Sequence, residues 1–364
     1  MELLTVMEQG ARDIAARVAE FYAKSSEGMA FLWELIPALE EGAARRAALS
    51  AEGGLSPQYL ICSITSRCNL HCAGCYARAE GSCSDEPRKR EQLGREEWAA
   101  VFNQARELGI SFILLAGGEP LLRRDVLQEA AKLKDTAFPV FTNGTLFDEE
   151  YLELFAAHRN LIPVVSIEGE DSATDARRGE GVAQKISGVL EQLQARGILF
   201  AASVTVTREN LGSVATEEYI EALREKGCGV LFFIEYVPAQ QGTEHLALKC
   251  TEVERLSEAV SVLRERHGDM CIFSFPGDEA KTDGCLAAGR GFFHINPSGG
   301  AEPCPFSPFS VMNVREHRLK DVLSSEFFGK VREVSKADES HFSGCTLFNH
   351  QQEIFNLFGA AMEK

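Results

Sequence analysis

The sequence predicts an α/β protein: a partial (β/α)6 barrel of the TIM type, with a helical extension before it and a small cysteine-bearing domain after it. Three observations predict this. Six apolar runs of strand length alternate with helical stretches between residues 57 and 245, the first 50 residues show only helical spacing, and beyond residue 283 the chain turns rich in Gly, Pro, Phe and Cys.

In order along the chain, "ARDIAARVAEFYAK" and "MAFLWELIPALEEGAARRAAL" carry apolar residues three and four apart, with "SSEG" between them, so residues 1–55 read as a helical extension. A membrane-surface role for these helices is the less favoured reading, because their polar faces mix both charge signs. The strands are "QYLICSIT", "SFILLAGG", "FPVFTNG", "LIPVVSIEG", "ILFAASVTV" and "VLFFIEYVP", each followed by a helical stretch such as "GREEWAAVFNQARELG" or "VAQKISGVLEQLQARG". Near-continuous Ile, Val, Leu and Phe joined by single helices imply a parallel sheet covered on its outer face. Six units fall short of the eight that close a barrel, and reactive groups belong where the strands end. Residues 56–245 form this barrel. A linking helix and strand occupy 246–283, and 284–364 make the small domain, opening on a hairpin at "GFFHINPSGGAEPCP".

With 364 residues and 45% hydrophobic content the chain can bury a sizeable core. No secretory signal and no span of about 20 apolar residues is visible, which predicts a soluble cytoplasmic protein. Eleven cysteines, an odd count, argue against a disulfide framework and for thiols in metal or redox chemistry. A formal charge of −17 leaves no basic stripe for nucleic acid.

Cys68, Cys72 and Cys75 are spaced C-x3-C-x2-C directly after the first strand, in the polar stretch "RCNLHCAGCY". Iron–sulfur cubes are held by thiolates, usually four, so three leave one iron open to bind substrate or cofactor. Zinc on the three thiolates with His71 or Cys83 is the competing reading. Cys83 itself sits in the polar loop "EGSCSDEPRKREQ" and is expected to be exposed and idle. Cys62, Cys228 and Cys250 are assigned to the core or to incidental surface.

This spacing after strand one of a partial barrel resembles the signature of the radical S-adenosylmethionine (SAM) enzymes. The resemblance implies that Cys68, Cys72 and Cys75 hold a [4Fe-4S] cluster whose open iron chelates SAM, which is cleaved to a 5′-deoxyadenosyl radical that abstracts hydrogen. "AGGEP" at the end of strand two resembles the family's GGEP. Gly117 and Gly118 would let carbonyls approach the SAM ammonium, and Glu119 would supply charge nearby. Asn143 in "FTNG" is family-like, although Asn-Gly alone reads as a turn. In "VSIEGEDSATDARRG", Ser166 and Arg178 fall where a branch of the family contacts the ribose and carboxylate of SAM. Tyr236 would face the adenine. One departure stands out: Gly74 occupies a position where many members carry an aromatic, and Tyr76 is expected to cover the cluster or adenine instead.

Cys285, Gly299 and Cys304 resemble the opening of the SPASM and twitch extensions that hold auxiliary clusters, with Cys345 as the implied third ligand. One auxiliary [4Fe-4S] cluster is expected. Its fourth ligand is left among His341, His350 and Cys271, or an open iron. The implied function is hydrogen abstraction from a peptide or protein, with cofactor or haem-type biosynthesis on a small molecule as the alternative. A flavodoxin or ferredoxin would supply electrons. A non-catalytic electron-transfer or redox-sensing protein is the remaining reading, in which GGEP, Ser166 and Arg178 have no purpose.

Overall fold

The computed structural model describes residues 3–363 apart from 24, 87–90, 283 and 338–344. Two long helices come first, α1 (Leu3–Tyr22) and α2 (Ser26–Ala51). The six predicted strands follow as β1 (Tyr59–Thr65), β2 (Phe112–Gly117), β3 (Phe138–Thr142), β4 (Leu161–Ile167), β5 (Phe200–Val206) and β6 (Cys228–Glu235), all parallel and hydrogen-bonded in chain order. Between them run α3 (Tyr76–Ala79), α4 (Arg95–Glu107), α5 (Arg124–Ala131), α6 (Glu149–Ala157), α7 (Asp171–Arg178), α8 (Val182–Ala195), α9 (Leu211–Val214) and α10 (Glu217–Glu225). Local chemistry starts several of them. Asp148 accepts from the Tyr151 amide at 2.8 Å ahead of α6, and Thr216 accepts from the Tyr219 amide at 3.3 Å ahead of α10.

The predicted linking segment does more than link. After α11 (Cys250–Arg266), β7 (Cys271–Phe275) pairs in parallel with β6 and becomes a seventh barrel strand. The predicted hairpin is present as β8 (His294–Ile295) and β9 (Gly300–Glu302), extended by β10 (Met312–Asn313). It does not stand apart from the barrel. β8 lies parallel to β1, with Ile61 opposite His294, so the sheet runs β10-β9-β8-β1 and on to β7. Among the described residues, four helices close the chain: α12 (Leu319–Leu323), α13 (Glu326–Ala337), α14 (Thr346–Asn349) and α15 (Gln351–Met362).

Alternate residues of each strand face the helices or the lumen, and both sides are buried, which is why the strands read as continuous apolar runs. On β1, Leu60, Cys62 and Ile64 join the helix-facing core. Val164, Ala201, Val230 and Cys271 fill the lower lumen with Phe141, Phe232 and Phe273 around them.

The N-terminal helices plug the end of the barrel where the strands begin. Val18, Tyr22, Phe31 and Leu32 pack on Phe112, Ala137, Ile162 and Leu199, and the Leu199 amide donates to the Tyr22 hydroxyl at 3.3 Å. One apolar face of the pair is thus buried on the barrel, while Phe21, Trp33 and Ile36 stay exposed. Among the described residues, no helix is long and apolar enough to cross a membrane.

Candidate functional site

All the predicted motif residues of the barrel sit at the ends where the strands finish, opposite the helical plug. Cys68, Cys72 and Cys75 lie on the loop from β1 to α3 and are partly exposed. The two glycines of GGEP hold this loop down by backbone contact. Gly118 donates to the Thr65 carbonyl and Glu119 to the Arg67 carbonyl, both at 2.8 Å. A Cβ on Gly118 would lie 2.0 Å from the Arg67 oxygen, and one on Gly117, at φ +126°, 2.4 Å from the Thr65 oxygen. The glycines are thus required by the cysteine loop itself.

Glu119 is 1% exposed. Its carboxylate accepts from the Leu121 amide at 3.0 Å, the Thr142 hydroxyl at 2.6 Å and the Asn143 amide at 2.8 Å, tying the end of β2 to the end of β3. Burial pushes its pKa up against these three bonds, which hold it down. Asn143 both forms the turn and reaches the cysteine loop. Its oxygen accepts from the Thr145 amide, while its nitrogen donates to Asn69 Oδ1 at 2.9 Å and approaches Cys68 Sγ at 3.9 Å.

Across the mouth, Arg178 is directed to Glu168 Oε1 at 2.9 and 2.5 Å, and Arg177 reaches the same oxygen at 2.8 Å. The second Glu168 oxygen is buried without a partner. Both guanidinium charges act on Cys72, whose thiol burial otherwise pushes up. Arg177 also clasps the loop through its Nε to the Ala73 carbonyl, at 3.2 Å. Sequence reasoning missed Glu168. A carboxylate at a strand end, followed nine and ten residues later by two arginines on one short helix, was the available signal. Ser166 is half-buried on β4, opposite Ser203 of β5.

The absent aromatic at Gly74 is replaced in space. Gly74 has φ +66°, and a Cβ there would lie 2.4 Å from the Tyr236 hydroxyl, so the Tyr236 ring from the end of β6 occupies that place over the loop. Tyr76 turns the other way and packs on Phe306 of the small domain, with centroids 4.7 Å apart. Cys83 departs from expectation: it is 4% exposed, and its sulfur acts on Cys68. The reason is the turn after α3, where the Cys83 amide donates to the Ala77 carbonyl at 2.6 Å and folds the loop inward. His71 is exposed and paired with Asp85 at 2.8 Å.

In the small domain Cys285, Cys304 and Cys345 are 3%, 1% and 9% exposed and interact with one another. Gly299 turns the hairpin at φ +86°. Of the candidates for a fourth ligand, Cys271 is excluded, because it faces the lower lumen and the charges of α1. His350 pairs with Glu353 at 3.3 Å, and His341 lies outside the described residues. A buried chain that sequence reasoning also missed joins this domain to the barrel. His294 contacts Glu302 at 2.7 Å through Nδ1 and Ser63 of β1 at 2.8 Å through Nε2.

Both cysteine sets have the chemistry an iron–sulfur cluster asks for. Backbone amides approach sulfur at Cys68 (from Leu70) and Cys304 (from Phe306), each at 3.5 Å. Burial pushes Cys68 up to about 11 and Cys345 up to about 12, so a metal must displace their protons. Among the described residues no three His, Cys, Asp or Glu side chains converge tightly enough for one metal ion. A four-iron cube, with a ligand on each corner, keeps its thiolates farther apart than a single tetrahedral ion does.

Residues 62–226 match the family model of the Radical SAM superfamily. The chain is 26% identical over 306 residues to the AdoMet-dependent heme synthase of Methanosarcina barkeri, covering 76% of this chain and 85% of that protein. It is 27% identical over 286 residues to the PqqA peptide cyclase of Gluconobacter oxydans, covering 75% and 76%. Among solved structures, Streptococcus suis SuiB bound to S-adenosylmethionine superposes with a TM-score of 0.66 at 17% identity, over 85% of this chain and 76% of that one, a likeness of fold. With the cysteine loop, GGEP and the strand-end residues gathered at one mouth of such a barrel, residues 62–226 of the chain carry a radical SAM domain.

Proposed function

We propose that this radical SAM enzyme binds SAM at a [4Fe-4S] cluster on Cys68, Cys72 and Cys75 and abstracts hydrogen from a peptide held between the barrel mouth and the small domain. The cluster, when bound, supplies the electron that cleaves SAM. The observation that carries the reading is the Glu168–Arg177–Arg178 group. It presents cationic donors beside the cysteine loop and leaves a buried carboxylate oxygen unpaired, as a site made for a zwitterionic ligand would. Gly117, Gly118, Glu119 and Asn143 position the loop. Ser166 and Tyr236 stand at the strand ends for ribose and adenine, and Tyr76 seals the loop against the small domain. That domain, residues 284–364, follows the barrel and linker at 56–283 and would hold a second cluster on Cys285, Cys304 and Cys345. A flavodoxin or ferredoxin in the reducing cytoplasm is the electron source.

The likeness to the PqqA peptide cyclase supports a peptide substrate. The likeness to the heme synthase, over 85% of its length, supports a second reading in which a tetrapyrrole-like small molecule fills the same space. Anaerobic incubation of cluster-loaded protein with SAM and dithionite should release 5′-deoxyadenosine. Fully loaded protein that releases none overturns the proposal. Adding candidate peptides or iron-porphyrin precursors and following substrate mass then decides between the two readings.

A further inference from the structure

We propose that Glu279 is the fourth protein ligand of the cluster held by Cys285, Cys304 and Cys345, an inference that rests on the auxiliary-cluster reading above. Glu279 is 5% exposed. It projects from a 3-10 turn, Gly277–Thr282, that ends three positions before Cys285. The turn is fastened in place: the Glu279 amide donates to the Pro276 carbonyl at 2.7 Å, and the Thr282 hydroxyl donates to the Glu279 carbonyl at 2.9 Å. Its carboxylate accepts from the Leu286 amide at 3.0 Å, one residue beyond Cys285, and the Cys285 thiol is among the groups that act on it.

Among the described residues, no cation pairs with the buried Glu279 carboxylate. Arg290, the cation that acts on it, gives its donors instead to the carbonyls of Cys285 and Thr282, at 2.7 and 2.9 Å. A buried carboxylate without a paired cation is costly, and it is met either by a retained proton or by a bound metal. Glu279 is also the carboxylate that acts on all three thiols. Glu80 acts on Cys304, and Glu235 on Cys345. Once iron displaces the thiol protons, the Glu279 carboxylate, held beside Cys285 by the Leu286 amide, borders the site. Three soft thiolates and one hard carboxylate would then make one iron of the cube chemically distinct.

The test uses full-length protein carrying Cys68→Ala, Cys72→Ala and Cys75→Ala, so that only the small-domain cluster remains, loaded with iron-57. Mössbauer spectra should show about one quarter of the iron, one corner of four, at a higher isomer shift. Glu279→Cys should abolish that distinct quarter while keeping the iron content. The EPR signal of the reduced cluster should be unmoved by cyanide in the parent and should shift in Glu279→Ala, where the corner is opened. Glu80→Gln should behave as the parent. A parent signal that already shifts with cyanide, or opening by Glu80→Gln and not by Glu279→Ala, overturns the proposal. Protein that binds no iron removes the auxiliary cluster itself. SAM cleavage by the chain with all its cysteines intact reports separately on the first cluster.

Discussion

Replacing Glu119 with glutamine separates two roles for this residue: tying strand ends together, or placing charge near a bound ammonium. Three donors converge on the carboxylate, from Leu121, Thr142 and Asn143, and Thr142 is itself engaged as acceptor by the Gly144 amide at 3.1 Å. A carboxylate accepts at both oxygens, whereas glutamine has one acceptor and a nitrogen that must donate. The better of its two orientations keeps the Leu121 and Thr142 bonds and sets its NH2 against the Asn143 amide. That loses a charge-assisted bond worth about 1.5–3 kcal/mol and leaves buried donors facing each other, at about 1–3 kcal/mol more. A total of about 3 kcal/mol lowers the melting temperature of iron-free protein by roughly 4 °C. Because Asn143 also holds Asn69 at 2.9 Å, cluster retention should fall as well. Thr142→Val, which removes a donor and leaves the charge, should reproduce part of the melting shift. Scanning calorimetry and 5′-deoxyadenosine yield are the measurements. A Glu119→Gln protein melting within about 1 °C of wild type, with weakened SAM binding, would refute the tying role and leave the charge role standing.

Four further outcomes are expected. Gly118→Ala, with its Cβ 2.0 Å from the Arg67 carbonyl oxygen, should lose the first cluster's iron and at least about 100-fold of SAM cleavage. Gly188→Ala in α8, where nothing lies within 4 Å, should be neutral or stabilising by about 1 kcal/mol; equal behaviour of the two contradicts the close-contact argument. Cys83→Ser should keep the full iron content and SAM cleavage, and loss of one cluster's iron would make Cys83 a fourth tether and end the open-iron reading. Burial pushes Glu235 up to about 7. The folded state then keeps a proton that the unfolded state releases above its ordinary carboxyl pKa, so this group's stabilisation is lost as pH rises toward and through 7. In iron-free protein the stability of Glu235→Gln relative to wild type should therefore grow by up to about 3 kcal/mol between pH 5 and pH 8, and a pH-independent difference would sink it. Ser63→Ala and His294→Gln should couple by at least about 0.5 kcal/mol in a denaturation double-mutant cycle, since His294 bridges Ser63 and Glu302, and strict additivity would count against the buried chain.

By itself the sequence determined the order of the six barrel strands, because buried parallel strands are apolar along their length and helices between them repeat every three to four residues. It also determined the cysteine loop and GGEP, since both are contiguous and each needs its residue types for a local reason. What the tertiary structure decided are the relations between distant segments. β7 reads as a link until its edge meets β6, and α1 and α2 read as generic helices until Tyr22 meets Leu199. Cys83 reads as exposed because its neighbours are polar, yet the turn from Ala77 to Cys83 carries it inside. Gly74 and Tyr236 are 162 positions apart, and their exchange of roles is invisible without the fold. Glu279 and Glu302 each look like one more acid in a chain of 54 acidic residues. Burial gives each a role, because a charge or polar group removed from water must be answered by a partner that only folding brings to it.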